Sequence, residues 1–265
     1  MVPVRVRSVL VAAASALSAA ACATAPAPDS GFLSSYEGLV ERTDTVRASV
    51  RQSRDEAAAG AIERVWIEPA VLIDDAAPGL TAEEQALVLG EIDRQVCYEL
   101  SERFTIAPGR DAAAGRVRLA ATRILPTNPA ASAASAAANY FIPGPIGVRA
   151  PGGTGGLAAE AELLSPEGEQ VAAIVWARNA TVVGTDNPSL SRVGDAHQLA
   201  EVFGDMVGDA FAPEDREVRA IPDPDPCAAY GPRNRPVGFI TRFATGLYQP
   251  ELSGGTPREE EPEGQ

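Results

Sequence analysis

The chain of 265 residues carries 22 basic residues, every one an arginine, against 36 acidic ones, for a net charge of −14. A surface that acidic argues against a nucleic-acid partner. With 24 glycines and 22 prolines, much of the length goes into loops, which leaves room for one core of about 150 residues with extensions.

Met1 to Arg7 holds Arg5, Arg7 and no acid, and Ser8 to Ala21 is an apolar run of Ala, Val, Leu and Ser that ends in small residues. This is the order of an export signal. The run is too short for the roughly 20 residues of a membrane-spanning helix. Removal of residues 1–21 leaves 20 basic and 36 acidic residues, a net charge of −16. Ala19-Ala20-Ala21-Cys22 resembles the lipobox of bacterial lipoproteins, with Ala19 where a Leu is usual and Leu17 displaced outward. The resemblance implies palmitate-type acylation of the Cys22 thiol. Several acyl chains, at about 0.8 kcal/mol per buried methylene, would make a permanent anchor. Ala23 after the Cys, in place of Asp, points to the outer membrane. The plainer alternative is ordinary secretion with cleavage at Ala21-Cys22-Ala23, since cleavage after Ala25 would fall against Pro26.

Residues 23–30 read as an Ala/Pro tether, followed by Phe32, Leu33, Tyr36 and Leu39 at nearly helical spacing as anchors to the body. "AIERVWIEPAVL" alternates until Pro69 ends it as a strand. Thr81 and Glu84 form a capping box, and Val88, Leu89, Ile92, Val96, Leu100 and Phe104 then recur at three- and four-residue steps, which predicts a helix. "FTIAP" and "GRVRLAATRIL" are further strands, and "GLAAEAELLSPEGEQVAAIVWARNATVV" is a hairpin turning at "SPEGE". A last helix is expected from Asp195, capped by that side chain and answered by Gln198, with Pro213 beyond its end. Its Gly204 and Gly208 suggest close packing on a sheet that presents the small residues Ala173, Val175 and Ala177.

These elements predict an α+β fold, a largely antiparallel sheet with two helices packed on one face, plus irregular Pro/Gly-rich extensions. The expected organisation is a signal peptide over 1–21, a lipid-anchored tether and N-terminal segment over 22–60, and an α+β domain over 61–212 with a long insertion at 126–156. A Pro-rich, acidic extension follows over 213–265, disordered at its end. Cys97 and Cys227 remain as a pair in an oxidising compartment, either bridged or separately buried.

The phrases "GFLSSY", "VWIEP", "AEAELLSPEGEQVAA" followed by an arginine, and "GDAHQLAEVFGD" occur in that order. In that order they resemble the bacterial lipoprotein family called domain of unknown function 3313, over residues 31–212. The resemblance implies an exported lipoprotein with an α+β domain and no assigned activity. The Ala/Ser- and Gly/Pro-rich insertion and the tail with Cys227 depart from that family's pattern.

No catalytic set emerges. His197, the single histidine, lies between Asp195 and Glu201, where it would serve either as a general base or, more plainly, as a surface histidine near a helix N-terminus. There is no G-x-S-x-G elbow, the Cys and His supply is too small for zinc, and "PDPDP" is too stiff for a calcium loop. "GPIGVRAPGGTGG" lacks the G-K-[ST] of a phosphate loop, so no cofactor is expected. One pattern stands out: Arg64, Trp66, Arg116, Arg118, Glu160, Glu162, Ile174, Trp176 and Arg178 fall opposite the small aliphatic residues. That face would be covered by the 126–156 segment or the tail, with Tyr140, Phe141 and Ile142 on the tryptophans, or used for docking.

The expectation is thus an outer-membrane lipoprotein whose periplasmic, non-catalytic domain binds or scaffolds an envelope protein or cell-wall component. Its membrane contact would be through the N-terminal lipid. The alternatives are a small envelope hydrolase using His197, and a peptidoglycan- or lipid-binding module using the 139–156 loop.

Overall fold

The computed structural model describes residues 24–231 except 46, 142–146 and 151, together with 247, 248 and 250. Cys22, the signal-like segment and the acidic end of the tail lie outside the described residues. In chain order the elements are β1 (Val40–Glu41), β2 (Ala48–Arg54), α1 (Glu56–Ala61), β3 (Arg64–Ile67), β4 (Val71–Leu72) and α2 (Ala82–Ser101). Then come β5 (Thr105–Ile106), β6 (Gly115–Leu125), α3 (Pro129–Asn139), β7 (Gly147–Val148), β8 (Gly156–Leu164), β9 (Gln170–Asn179), β10 (Val183–Gly184) and α4 (Gly194–Phe211).

One sheet runs β1-β2-β9-β8-β6-β3-β5, with β4 also on β6. The half built from β1, β2, β9, β8 and β6 is antiparallel, and a short turn joining β8 to β9 returns the chain beside itself. Gly168, at φ +90, supplies the left-handed position of the β8–β9 turn. The α2 crossover leaves β3 parallel to both β5 and β6. The α+β class and the two helices on one face stand as the sequence implies.

α2 begins at the Thr81/Glu84 capping box, with both reciprocal bonds formed, and buries Val88, Ile92, Val96 and Leu100. α4 buries Leu199, Phe203, Val207 and Phe211 beside it. Each such large apolar side chain contributes about 1.5–3 kcal/mol by leaving water.

In β9 alone, the face that meets these helices is the reverse of the expectation; in β3 and β6, Val65, Ile67, Val117 and Leu119 lie on the helix side as expected. In β9, Ala172, Ile174 and Trp176 lie in the helix-side core, and Trp176 stacks at 5.6 Å on Phe203. Ala173, Val175 and Ala177 lie on the other face. Alternation separates two faces without saying which one the helices cover. The glycines of α4 do not need small strand residues, since they face α2. A Cβ on Gly204 would sit 2.9 Å from the Gln95 carbonyl carbon, and one on Gly208 would sit 3.1 Å from the Glu99 Cβ.

The start of α4 also differs. Val193 is the N-cap and offers no side-chain bond. Asp195 instead turns its carboxylate to buried Arg149, at 2.9 Å, and to the Gly155 N–H, at 2.6 Å. The stronger charge partner wins over the cap.

The ordered body extends on both sides of residues 61–212. β2 pairs along all of its length with β9, and residues 24–39 lie across the sheet without forming a helix. At the other end, Cys97 and Cys227 form a disulfide across 130 residues. The Tyr98 hydroxyl donates to the Gly231 carbonyl at 2.8 Å, and the Arg216 guanidinium donates to the Ile62 carbonyl at 2.8 Å and lies 4.4 Å over the Phe104 ring. The insertion contains α3, capped by Asn128, and Tyr140 and Phe141 that follow it are exposed instead of covering a tryptophan. Ile142 lies outside the described residues.

Candidate functional site

The outer face of the sheet carries Trp66 and Arg64 on β3, Arg116 and Arg118 on β6, and Glu160 and Glu162 on β8. Across the β6–β8 pairing, Arg118 stands opposite Glu162 and Arg116 opposite Leu164. Trp176, Ile174 and Arg178 of the expected face do not belong to it. Trp176 is fully buried on the helix side, and Arg178 closes the far end of β9 through Asp186 at 2.8 Å. The two tryptophans are therefore on opposite sides of the sheet.

Two fully buried carboxylates, Glu160 and Glu162, would be costly here unless every lone pair were filled. The filling comes from the N-terminal segment. Ser30 donates its N–H to Glu160 Oε1 at 3.0 Å and its hydroxyl to Oε2 at 2.7 Å. The Tyr36 hydroxyl donates to the same Oε2 at 2.7 Å while accepting the N–H groups of Gly31, at 2.8 Å, and Leu33, at 3.3 Å. Ser34 donates its N–H to Glu162 Oε2 at 2.8 Å and its hydroxyl to Oε1 at 3.0 Å. Gln170 adds a further donor to Glu162 at 2.8 Å, and Arg118 completes it with a short ion pair. The phenol of Tyr36 is pushed up by burial and then by the Glu160 carboxylate beside it, so it stays a donor.

Apolar contacts complete the seal. Ala27 and Leu33 pack on Ala158, Ala173, Val175 and Ala177, with Phe32, Tyr36 and Leu39 at the margin. Arg118 lies 4.6 Å from the centre of the Phe32 ring, which is where the cation–π contact of this face is found. Thr24 begins the strap, donating its hydroxyl to the Arg47 carbonyl at 2.8 Å and accepting the Asn179 N–H at 3.1 Å. The cover over the arginine and glutamate face is thus residues 24–39, and neither the 126–156 segment nor the described tail.

With each carboxylate oxygen engaged, Glu160 and Glu162 act as a lock for the strap. Sequence reading picks out the apolar anchors but misses Ser30 and Ser34. Their signal is a match of periods, since Ser30, Ser34 and Tyr36 sit at even steps, as Glu160 and Glu162 do.

His197 is buried, not at the surface. Its Nδ1 is 2.6 Å from the Tyr248 hydroxyl and its Nε2 is 3.5 Å from Glu91, which is itself paired with Arg94. Among the described residues no group of His, Cys, Asp and Glu is placed to hold a metal ion, and no helix is long and apolar enough to cross a membrane. A groove of about 520 Å³ near Arg103, Arg216 and Arg219 also presents Glu63 and Glu217, so its charges oppose one another.

A family model described as "Protein of unknown function (DUF3313)" matches residues 28–207. A search of curated proteins finds no match. Among solved structures, the dodecamer of a PelC point variant from Paraburkholderia phytofirmans is similar at 15% identity and a TM-score of 0.34, over 63% of this chain and 99% of that one. A second PelC dodecamer from the same organism gives 12% and 0.33, over 60% and 94%. Likeness at that level carries no argument about function.

Proposed function

The chain belongs to the DUF3313 family of proteins of unknown function, and from that premise we propose that it is a lipid-anchored protein of the outer membrane's periplasmic face. Its domain acts by contact, as a non-catalytic binding or scaffolding unit for another envelope component. The observation that carries this reading is the strap. Two residues after Cys22 the chain is already hydrogen-bonded to the body at Thr24, and by Tyr36 it is bonded to a buried carboxylate. A thiol acylated at Cys22 would therefore hold a rigid domain, with no free linker between lipid and fold.

The non-catalytic part is supported by the state of His197 and of the two buried glutamates. His197 is buried beneath Tyr248, and the Glu160/Glu162 pair has its acceptors occupied by the strap. The acidic balance supports a partner other than nucleic acid.

Labelling with palmitate tests the anchor. The native protein is expected to take up label and sediment with membranes, and a Cys22→Ser variant is expected to lose both properties. A native protein with an unmodified amino terminus and free solubility would overturn the reading.

A further inference from the structure

The strap ends at one corner of the molecule, and that corner carries an apolar surface the fold does not use. Tyr140 and Phe141, at the end of α3, are 86% and 82% exposed, whereas Phe104, Phe203 and Phe211 are buried. The two exposed rings pack edge to face at 5.3 Å. Asn139, just before them, accepts the Val148 N–H at 2.8 Å, and Val148 pairs with Val183 in the β7–β10 ribbon. Val148, Val182 and Val183 are 38%, 40% and 58% exposed. The five residues thus belong to one small ribbon and the helix end bonded to it.

That ribbon adjoins the start of the described chain. Gly184 of β10 lies against Arg47, where an added Cβ would meet the guanidinium at 3.3 Å. The carbonyl of that same Arg47 accepts the Thr24 hydroxyl. Cys22 precedes Thr24 by two residues, and two extended residues span at most about 7 Å.

Charge separates this corner from the rest of the molecule. The chain has 36 acids, yet none occurs between Asp111 and Glu160, and none between Gln170 and Thr185. Those two stretches contain α3 and both strands of the ribbon. The nearest acid to the ribbon, Asp186, is held by Arg178 and Thr181, so aromatic rings beside aliphatic side chains suit the boundary between headgroups and acyl chains, where unpaired carboxylates are repelled by anionic lipid.

We propose that Tyr140, Phe141, Val148, Val182 and Val183 form a seat on the lipid surface, fixing how the anchored domain stands on its membrane. The proposal rests on the reading of Cys22 as the anchor. The occupant is the bilayer itself, since the patch lies at the corner where Thr24 begins the strap, two residues after Cys22 in sequence.

The test uses the full acylated chain reconstituted in vesicles of phosphatidylethanolamine and phosphatidylglycerol. A Phe141→Trp variant is expected to gain blue-shifted emission that brominated lipids quench, above the background of Trp66 and Trp176. In a second arm, the unacylated Cys22→Ser chain is floated with the same vesicles, and adding Tyr140→Ser and Phe141→Ser is expected to lower its partition by about tenfold. Thermal melts of each variant verify folding. A Trp at 141 that stays unquenched overturns the seat, as does self-association through this face in place of lipid contact. The mass of the N-terminal peptide judges the anchor separately, so a missing acyl group and an idle patch give different results.

Discussion

Tyr36 concentrates the logic of the strap in one hydroxyl. Its oxygen gathers two backbone N–H groups of the turn around residues 31–33 and donates its proton to Glu160 in a hydrogen bond. Tyr36→Phe keeps the ring but leaves a buried carboxylate short of a donor, which costs about 1.5–3 kcal/mol. The expected outcome is faster proteolytic cleavage within residues 24–39 and a lower Tm, with the core helices unaffected in far-ultraviolet circular dichroism. Asp205 provides a second residue-scale prediction. Burial, and then the charges of Glu99 and Glu201, raise its pKa to about 6. The folded state thus holds this proton more tightly than the unfolded chain does. Its contribution is fully present below about pH 4 and is lost as pH rises through about 6. Asp205→Asn is therefore expected to be more stable than the parent above pH 6 and level with it near pH 4. Solvent screening keeps the gain under about 1 kcal/mol. Paired thermal melts across that range check the sign, and a gain confined to acid pH would contradict it.

At the scale of elements, α2 and α4 meet where Gly204 faces the Gln95 backbone. Gly204→Ala gains helix propensity of about 1 kcal/mol but forces the two helices apart, which costs about 1–3 kcal/mol. A net fall in Tm is expected, and an unchanged or higher Tm would show that the contact yields. The same two helices mark what the sequence discloses. The capping box and the apolar steps of α2 are local signals, and so is the β8–β9 turn, so both are legible. The orientation of β9 is not, because the alternation of Ile174 and Trp176 with Ala173 and Val175 fits either face until the covering elements are known. β2 escapes notice for a related reason: in "ASVRQSR" only Val50 is fully buried, so the strand reads as a polar segment. Ser30 and Ser34 leave only their match of even steps as a trace, because their partners lie about 130 positions away. The candidate face is partly legible: Arg64, Trp66, Arg116, Arg118, Glu160 and Glu162 are correctly grouped, whereas Ile174, Trp176 and Arg178 of β9 do not belong to it.

For the whole molecule, the Cys97–Cys227 bridge ties the tail to α2 across 130 residues. Loop entropy sets an upper bound of about 4–5 kcal/mol on what it contributes. Replacing both cysteines by serine is expected to lower Tm and to expose residues 213–231 to protease. The sheet and helices should stay folded, since Cys227 is the tail residue within their buried core, with Ile221 and Tyr230 packed only at its margin. Identical melts with and without reductant would show that the bridge does not hold the tail.

The strap also sets an order of events. Ser30 and Tyr36 leave the synthesis machinery long before Glu160 exists, so the earliest part of the body is the last to settle. Until the β8–β9 hairpin arrives, the stretch around Thr24 has nothing to grip, and an enzyme acting near it meets a bare, pliant thread. Afterwards the same stretch is stitched down, so any enzyme that needs the chain around Thr24 unbound has a window that folding itself closes.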